Sequence, residues 1–103
     1  NGRKSQEMSF NNGVLNGKGT TWYENCKIET EGVYKDGEIN GLWIHWFENG
    51  QKKLESNFEY GKQNGITTFW YENGDKESEG VFLDGELNGL WTMYKNGKKK
   101  SLN

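Results

Sequence analysis

The chain has 103 residues, enough for one small domain, with only 31% hydrophobic residues and a formal net charge of -2. Such low hydrophobicity is typical of disordered chains, but an aromatic content of 15% is not, so large rings replace a conventional aliphatic core. The near-neutral charge argues against nucleic acid or an anionic membrane as partner. No stretch approaches the roughly 18 apolar residues of a membrane-spanning helix. The single cysteine, Cys26, cannot form an internal disulfide.

A repeat of 24 residues organises the whole chain, and four evenly spaced Asn-Gly pairs set its period, with glycines at Gly17, Gly41, Gly65 and Gly89. Other columns keep the same step: Trp22, Trp46 and Trp70; Tyr23, Phe47 and Tyr71; Phe10, Tyr34, Phe58 and Phe82; Glu7, Glu31, Glu55 and Glu79. The columns predict a single repeat array: a partial unit 1–17, complete units 18–41, 42–65 and 66–89, and a partial unit 90–103.

Each unit is predicted to be two strands joined by tight Asn-Gly turns. In the unit 42–65 the first strand runs over 42–47, Asn49-Gly50 favours a type I′ turn, and 53–58 forms the return strand. A second turn over 60–64 leads into the next unit. Since no window shows apolar residues sustained at helical spacing, we expect an all-β fold. It would be an elongated, twisted antiparallel meander of β-hairpins with about eight or nine short strands.

The two ends of the chain fit the same register. Asn1-Gly2 aligns with Asn49-Gly50, and Asn96-Gly97 is predicted to be the turn of the last unit. Lys98-Lys99-Lys100 aligns with Gln51-Lys52-Lys53 and is therefore interpreted as the start of a return strand, not as a targeting signal.

Alternation with period two assigns the side chains to faces. One face of the first strand carries Leu42, Ile44 and Trp46, with the equivalent Ile66, Thr68 and Trp70. One face of the return strand carries Leu54, Ser56 and Phe58, with the equivalent Ser78, Gly80 and Phe82. Small residues at Gly32, Ser56 and Gly80 leave room for a ring. We expect the rings near them to be Trp22, Trp46 and Trp70, stacked with Tyr34, Phe58 and Phe82.

The segments GLWIHWFENGQKKLESNFEYGKQNG (41–65) and GITTFWYENGDKESEGVFLDGELNG (65–89) resemble the variant MORN repeat. The bacterial form of that repeat reads W-x-x-W-Y-E-N-G-Q-K-K-x-E-G-x-Y-K-D-G-K-x-N-G. The resemblance covers essentially the whole chain. Departures are Cys26 for the turn glycine, Ser56 for the strand glycine, and Gln63 in a column otherwise held by Leu15, Ile39 and Leu87. The resemblance implies a sheet of β-hairpins without catalytic residues that serves as an interaction or scaffold module. Many bacterial members are described as antitoxins of toxin–antitoxin modules.

No residue pattern predicts catalysis, a metal site or a cofactor. His45 is the only histidine and Cys26 the only cysteine, so a Cys/His zinc site is excluded. The run 17–20 (Gly-Lys-Gly-Thr) lacks the spacing and the helix of a phosphate loop. The glutamate column could supply paired carboxylates. Its recurrence in every unit instead favours a ladder of Glu and Lys on a solvated face, and we expect the protein not to be an enzyme.

Aromatic side chains are the candidates for partner binding. Those that alternate with the predicted core face are Tyr23, Trp43, Phe47, Phe69, Tyr71 and Trp91, and we expect them to be rimmed by Glu31, Glu55 and Glu79. In a single-layered sheet part of this stripe is exposed, which favours a protein partner. Alternatively, neighbouring units curve and bury both stripes.

Three functions remain open from the sequence. The first is a protein-binding module, in its sharpest form neutralising a toxin. The second is a structural spacer within a longer bacterial surface or secreted repeat protein. Lipid binding is the third and the weakest, because the balance of charge is acidic. Neither nucleic-acid binding nor membrane insertion is expected, and open sheet edges would allow self-association.

Overall fold

A computed structural model describes residues 5–95 and 98–101, the last four by their backbone. Within these residues the chain contains strands and turns and no helix, so none that could span a membrane. The strands are β1 (Gln6–Asn11), β2 (Val14–Trp22), β3 (Ile28–Lys35), β4 (Glu38–Trp46), β5 (Lys52–Glu59), β6 (Lys62–Trp70), β7 (Lys76–Leu83), β8 (Glu86–Leu87), β9 (Thr92–Lys95) and β10 (Lys98–Ser101).

The strands form one antiparallel sheet in the order β1-β2-β3-β4-β5-β6-β7-β9-β10, so the predicted all-β meander is confirmed. β8 and β9 both pair with β7 and act as two pieces of one interrupted strand. The sheet is open, elongated and flat, with extents of 45 × 33 × 11 Å. It has one layer, and within the described residues no hydrophobic side chain is fully buried.

In the described hairpin loops, Asn49-Gly50 and Asn73-Gly74 do not form type I′ turns, so that prediction is wrong. In the loop after β4, Gly50 N donates to Phe47 O at 2.9 Å and Phe47 N donates to Gln51 O at 2.8 Å. The positive φ falls on Gly50, at 91°. This is a three-residue loop, a type I turn followed by one left-handed residue. Cys26, at φ 73°, takes that left-handed position in the loop after β2.

The type I′ turns lie at the other end of the strands, in the second glycine column. Asp36-Gly37 has φ values of 50° and 88°, and Tyr60-Gly61 has 49° and 83°. Two successive left-handed residues are what a two-residue hairpin requires. The second turn of a unit is therefore shorter than the predicted 60–64, and the strand after it begins at Lys62.

The evenly spaced Asn-Gly pairs that mark the period lie inside strands or next to one. Gly17, Gly41 and Gly65 belong to β2, β4 and β6, with φ of 112°, 127° and 119°, and the strand pairing shifts register beside them. The preceding asparagine supports the neighbouring turn, since Asn40 Oδ1 accepts a hydrogen bond from Tyr60 N at 3.0 Å. The predicted period of 24 residues is therefore correct, although the Asn-Gly pairs that mark it form bulges within strands and not turns between them.

Hydrogen bonds between equivalent loops hold successive units together. Asn25 Nδ2 donates to Glu48 O at 3.2 Å, and Asn49 Nδ2 donates to Glu72 O at 3.0 Å. The Tyr23 hydroxyl donates to Trp46 O at 2.6 Å. Asn25 and Asn49 thus each link their own loop to the loop of the next unit, which gives these asparagines a structural role.

At the ends of the chain, the predicted turns at 1–2 and 96–97 lie outside the described residues. Residues 98–101 form β10 and pair with β9, so the interpretation of Lys98–Lys100 as the start of a return strand is confirmed.

Candidate interaction surfaces

Strand register divides the side chains between two faces of different chemistry. Trp43 lies opposite Gly32 on one side and Ser56 on the other, so these three share a face. This uncharged face consists of three rows: Phe10, Leu15, Tyr34, Ile39, Phe58, Gln63, Phe82 and Leu87; Met8, Gly19, Gly32, Trp43, Ser56, Thr67, Gly80 and Trp91; Gln6, Thr21, Thr30, His45, Leu54, Phe69, Ser78 and Met93. The opposite, charged face includes Glu31, Ile44, Glu55, Thr68, Glu79 and Thr92.

Two indoles of the uncharged face lie directly over glycines. A Cβ built on Gly32 would be 2.4 Å from Trp43 Cε3, and one on Gly80 would be 2.3 Å from Trp91 Cε3. The prediction that the 22, 46 and 70 tryptophans cover the small residues is therefore wrong. Trp46 is an odd number of residues from Trp43 in the same strand, so it projects from the charged face.

The last glycine site also contains the predicted aromatic pair, but with a different tryptophan. Trp91 packs edge-to-face against Phe82 and Phe69, with ring centroids 6.2 and 6.0 Å apart. Leu87 Cδ1 lies 3.1 Å from the position of a Cβ on Gly80. Indole, phenyl and aliphatic groups therefore cover the glycine together.

The middle of the uncharged face is polar. The hydroxyls of Ser56 and Thr67 are 2.7 Å apart, and Gln63 Nε2 donates to each at 3.2 Å. Ser56 and Thr67 are each only 1% exposed. Ser56 and Gln63 appeared in the sequence as separate departures from the repeat. The structure shows that they form one cluster with Thr67, which occupies the column of Trp43 and Trp91.

The predicted aromatic stripe is divided in the structure. Trp43, Phe69 and Trp91 lie half-buried on the uncharged face, whereas the column of Tyr23, Phe47 and Tyr71 precedes the three-residue loops. Within that column Tyr71 is 43% exposed, and Phe47 lies under the ammonium of Lys53 at 5.6 Å. The glutamates at 31, 55 and 79 lie on the charged face, so they do not rim Trp43, Phe69 and Trp91, and that expectation is wrong.

The charged face carries the predicted ladder of Glu and Lys. Lys18, Lys52 and Lys76 lie 3.1, 3.4 and 3.3 Å from the carboxylates at 31, 55 and 79. The ammonium of Lys52 also lies 5.7 Å from the Trp70 ring centre, and that of Lys76 lies 5.5 Å from the Tyr94 ring centre. Each of these two lysines is thus held between a carboxylate and a ring of the next unit.

The pKa values of three titratable groups are shifted by their surroundings. Burial, with Glu29 and Glu48 nearby, raises the pKa of Tyr23 above its ordinary value of 10.0. Burial tends to raise the pKa of Glu79, but hydrogen bonds from Thr68, Lys76 and Tyr94 outweigh it and lower that pKa below the ordinary value of 4.5. Burial, together with nearby Lys53, lowers the pKa of His45 below 6.5. His45 is therefore neutral at pH 7 and adds no charge to the uncharged face.

An aliphatic row on the charged face was missed by sequence reasoning. Val33, Leu42, Ile66 and Val81 are 44%, 40%, 53% and 41% exposed. They lie two residues along their strands from the central positions Glu31, Ile44, Thr68 and Glu79 and so share their face. The period-two spacing in the sequence indicated that these aliphatic residues share a face with the central positions. Without the strand register, it did not show that this face is open to solvent.

No group of three or more His, Cys, Asp or Glu in the described part of the chain could hold a metal ion. Cys26 is an exposed free thiol. Compared with known proteins, the chain matches no protein-family model and no curated protein.

Proposed function

We propose that this protein is a protein-binding repeat module of the variant MORN type. It binds its partner through the aliphatic row of the charged face and catalyses no reaction. The observation that carries the proposal is the exposure of Val33, Leu42, Ile66 and Val81, between 40% and 53% on a flat and open surface. Val33 and Leu42 lie on neighbouring strands, as do Ile66 and Val81, and Asn57 separates the two pairs. Exposed aliphatic side chains beside polar ones are typical of interaction sites.

The row has features that suit a protein ligand. Burying these aliphatic groups against apolar side chains contributes about 25 cal/mol per Å². The Glu–Lys pairs next to the row are partly exposed, with the glutamates 28–29% exposed, and can fix the orientation of a partner by charge. A toxin is the specific partner that the family resemblance suggests.

A site-specific photo-crosslinker tests the surface. Placed at Ile66, it should capture a partner protein from the native host extract, whereas the same group at Thr30, on the opposite face, should not capture that protein. The purified partner should then bind the double variant Leu42→Lys, Ile66→Lys at least tenfold more weakly than the unmodified chain. Equal capture from both positions, or unchanged affinity of the folded variant, would refute this assignment of the surface.

Phe47 and Tyr71 provide a second test, because the sequence had selected them as contacts. If the aliphatic row is the binding surface, alanine at both positions leaves partner affinity within a factor of about two, since the pair lies at the loop end of the strands. Loss of binding in the folded alanine variant would move the site to the loops.

A structural spacer is the second candidate, supported by the asparagine links from loop to loop. Such links can repeat without limit and do not need a ligand. A spacer predicts no specific crosslink to another protein from Ile66, so the same experiment separates the two functions.

A further inference from the structure

The uncharged face has no Lys, Arg, Asp or Glu in its three rows, within residues 5–95. The charged face of the same strands carries Glu7, Lys18, Glu31, Lys52, Glu55, Lys76 and Glu79. Charged side chains do lie at the loop end of the uncharged face. The Glu29 carboxylate is 3.5 Å from the hydroxyl of Thr21 in the third row, and Lys53 is close enough to His45 to lower its pKa. In a monomer both faces meet the same water, so monomer solubility alone does not explain why every charge of the central rows is on one side.

The uncharged face is also smooth. Trp43 and Trp91 lie flat over Gly32 and Gly80 instead of standing upright, and Ser56 and Thr67 between them have short side chains. The backbone of the sheet is only 11 Å deep across its 45 Å width. Sheets that stay this flat over many strands are unusual and are commonly stabilised by stacking on another sheet or by side-chain ladders. The asparagine links form such a ladder at the loop end, and the Glu–Lys pairs form another on the charged face. The uncharged face is therefore the side on which a second sheet could stack.

We propose that two copies of this chain stack through their uncharged faces and form a two-layered sandwich with the charged faces outside. Packed sheets lie roughly 10 Å apart, with their side chains between them. A stable interface needs about 800 Å² from each partner. A face that spans 45 × 33 Å provides this area with part of its surface.

The chemistry of the face favours a second copy over an unrelated partner. A charged protein surface would lose its hydration against rings and aliphatic groups without gaining a counter-charge. The three rows of a second uncharged face carry no charge that would lose its hydration, and their rings gain contacts. In a twofold dimer each residue meets the same patch of the other copy, and this interface uses neither the aliphatic row nor the sheet edges.

Sedimentation equilibrium over a dilution series tests the proposal with matched variants. Leu87, 47% exposed on the uncharged face, is changed to Lys, and Ile66, 53% exposed on the charged face, is changed to Lys as the control. The unmodified chain and Ile66→Lys should form dimers of equal affinity. Leu87→Lys should dissociate at least tenfold more readily, because twofold symmetry buries two lysines.

Circular dichroism and urea unfolding must show that both variants are folded. A photo-crosslinker at Thr30 provides a measurement independent of substitution at Leu87, and it should join two copies of the chain, whereas one at Ile66 should not. A protein that stays monomeric at every concentration would overturn the proposal. A dimer that survives Leu87→Lys would overturn it too, because that result would indicate pairing by another route, such as through the sheet edges. Partner capture at Ile66 is read separately, so failure of the dimer leaves the proposed function untouched.

Discussion

The uncharged face solves the same packing problem in two ways. At Gly32 and Gly80 the strand has no side chain, and the indole of the neighbouring strand fills the space. At the equivalent position in the middle of the sheet, Ser56 has a side chain and the neighbour is Thr67, hydrogen-bonded at 2.7 Å. Glycine with tryptophan and serine with threonine therefore fill similar space between equivalent pairs of strands, one by ring contacts and the other by hydrogen bonds.

The difference shows that the columns of this repeat change together when their side chains touch. Gln63 donates to both hydroxyls, and the equivalent Leu87 packs at the Gly80 site. A polar residue placed in either glycine site would lack a hydrogen-bond partner. The polar cluster in the middle does not have this problem, because no buried polar side-chain atom of the described residues lacks a partner. The departures Ser56 and Gln63, together with Thr67, are thus one consistent replacement.

Gly80→Ala should have the largest effect of the changes that break the glycine sites. The new Cβ would lie 2.3 Å from Trp91 Cε3, so the indole must leave its position, at a cost of about 1–3 kcal/mol in the free energy of unfolding. Urea unfolding followed by tryptophan fluorescence measures this cost. Ser56→Gly is the control, since the opposite change at the polar site introduces no clash. A stability of Gly80→Ala equal to that of the unmodified chain would disprove the close packing.

Thr67→Trp should convert the polar site only when its neighbours change as well. Alone, the indole meets the side chain of Ser56 and should destabilise the protein. Together with Ser56→Gly and Gln63→Leu, which reproduce the Gly80 site, the destabilisation should largely disappear. The interaction energy from the mutant cycle should be about 0.5–3 kcal/mol. Additive effects would mean that the three positions do not act as a unit.

Tyr60→Asp should stabilise the protein, because tyrosine is a poor residue for the left-handed position of this type I′ turn. The turn belongs to the same unit as the polar cluster. Tyr60 has a left-handed φ of 49°, where its equivalents are Asn12, Asp36 and Asp84. A left-handed conformation costs an ordinary residue about 1 kcal/mol more than it costs Asn or Asp. Asp36→Tyr is the matched reverse change and should destabilise by a similar amount, both measured by thermal unfolding. The ammonium of Lys35, 5.7 Å from the Tyr60 ring centre, recovers part of the cost.

Glu79→Gln should produce the smallest effect and one that depends on pH. The lowered pKa of Glu79 means that its ionised form is favoured in the folded state, so it stabilises the protein above pH 4.5. This contribution fades as the pH falls from 4.5 through the lower folded value. The Gln variant should therefore be less stable at pH 7 by no more than about 1 kcal/mol and match the parent in stability at low pH. A constant difference across this range would assign the effect to packing instead of charge.

Much of the fold was predictable because the repeat is written in local residue patterns. The fold class, the antiparallel meander and the sharing of faces by Leu54, Ser56 and Phe58 followed from spacing and alternation. The turn assignments failed because Asn-Gly suits a type I′ turn, a type I turn with a left-handed residue, and a bulge alike. Loop length decides among them, and only the hydrogen bonds reveal it.

The surfaces were less predictable than the fold. The sequence identified Trp43, Phe69 and Trp91 as one group, and they do share a face. It placed the glutamates beside them, whereas the structure places Glu31, Glu55 and Glu79 on the other side of the sheet. Whether these residues bind a partner stays a prediction.

The sequence by itself determined that hairpins recur every 24 residues, since the period is carried by glycine and asparagine columns that act on their own backbone. Only the tertiary structure decided which ring covers which glycine and which face is free of charge. Both depend on the register between strands that are distant in sequence, and a bulge of one residue is enough to exchange the two faces.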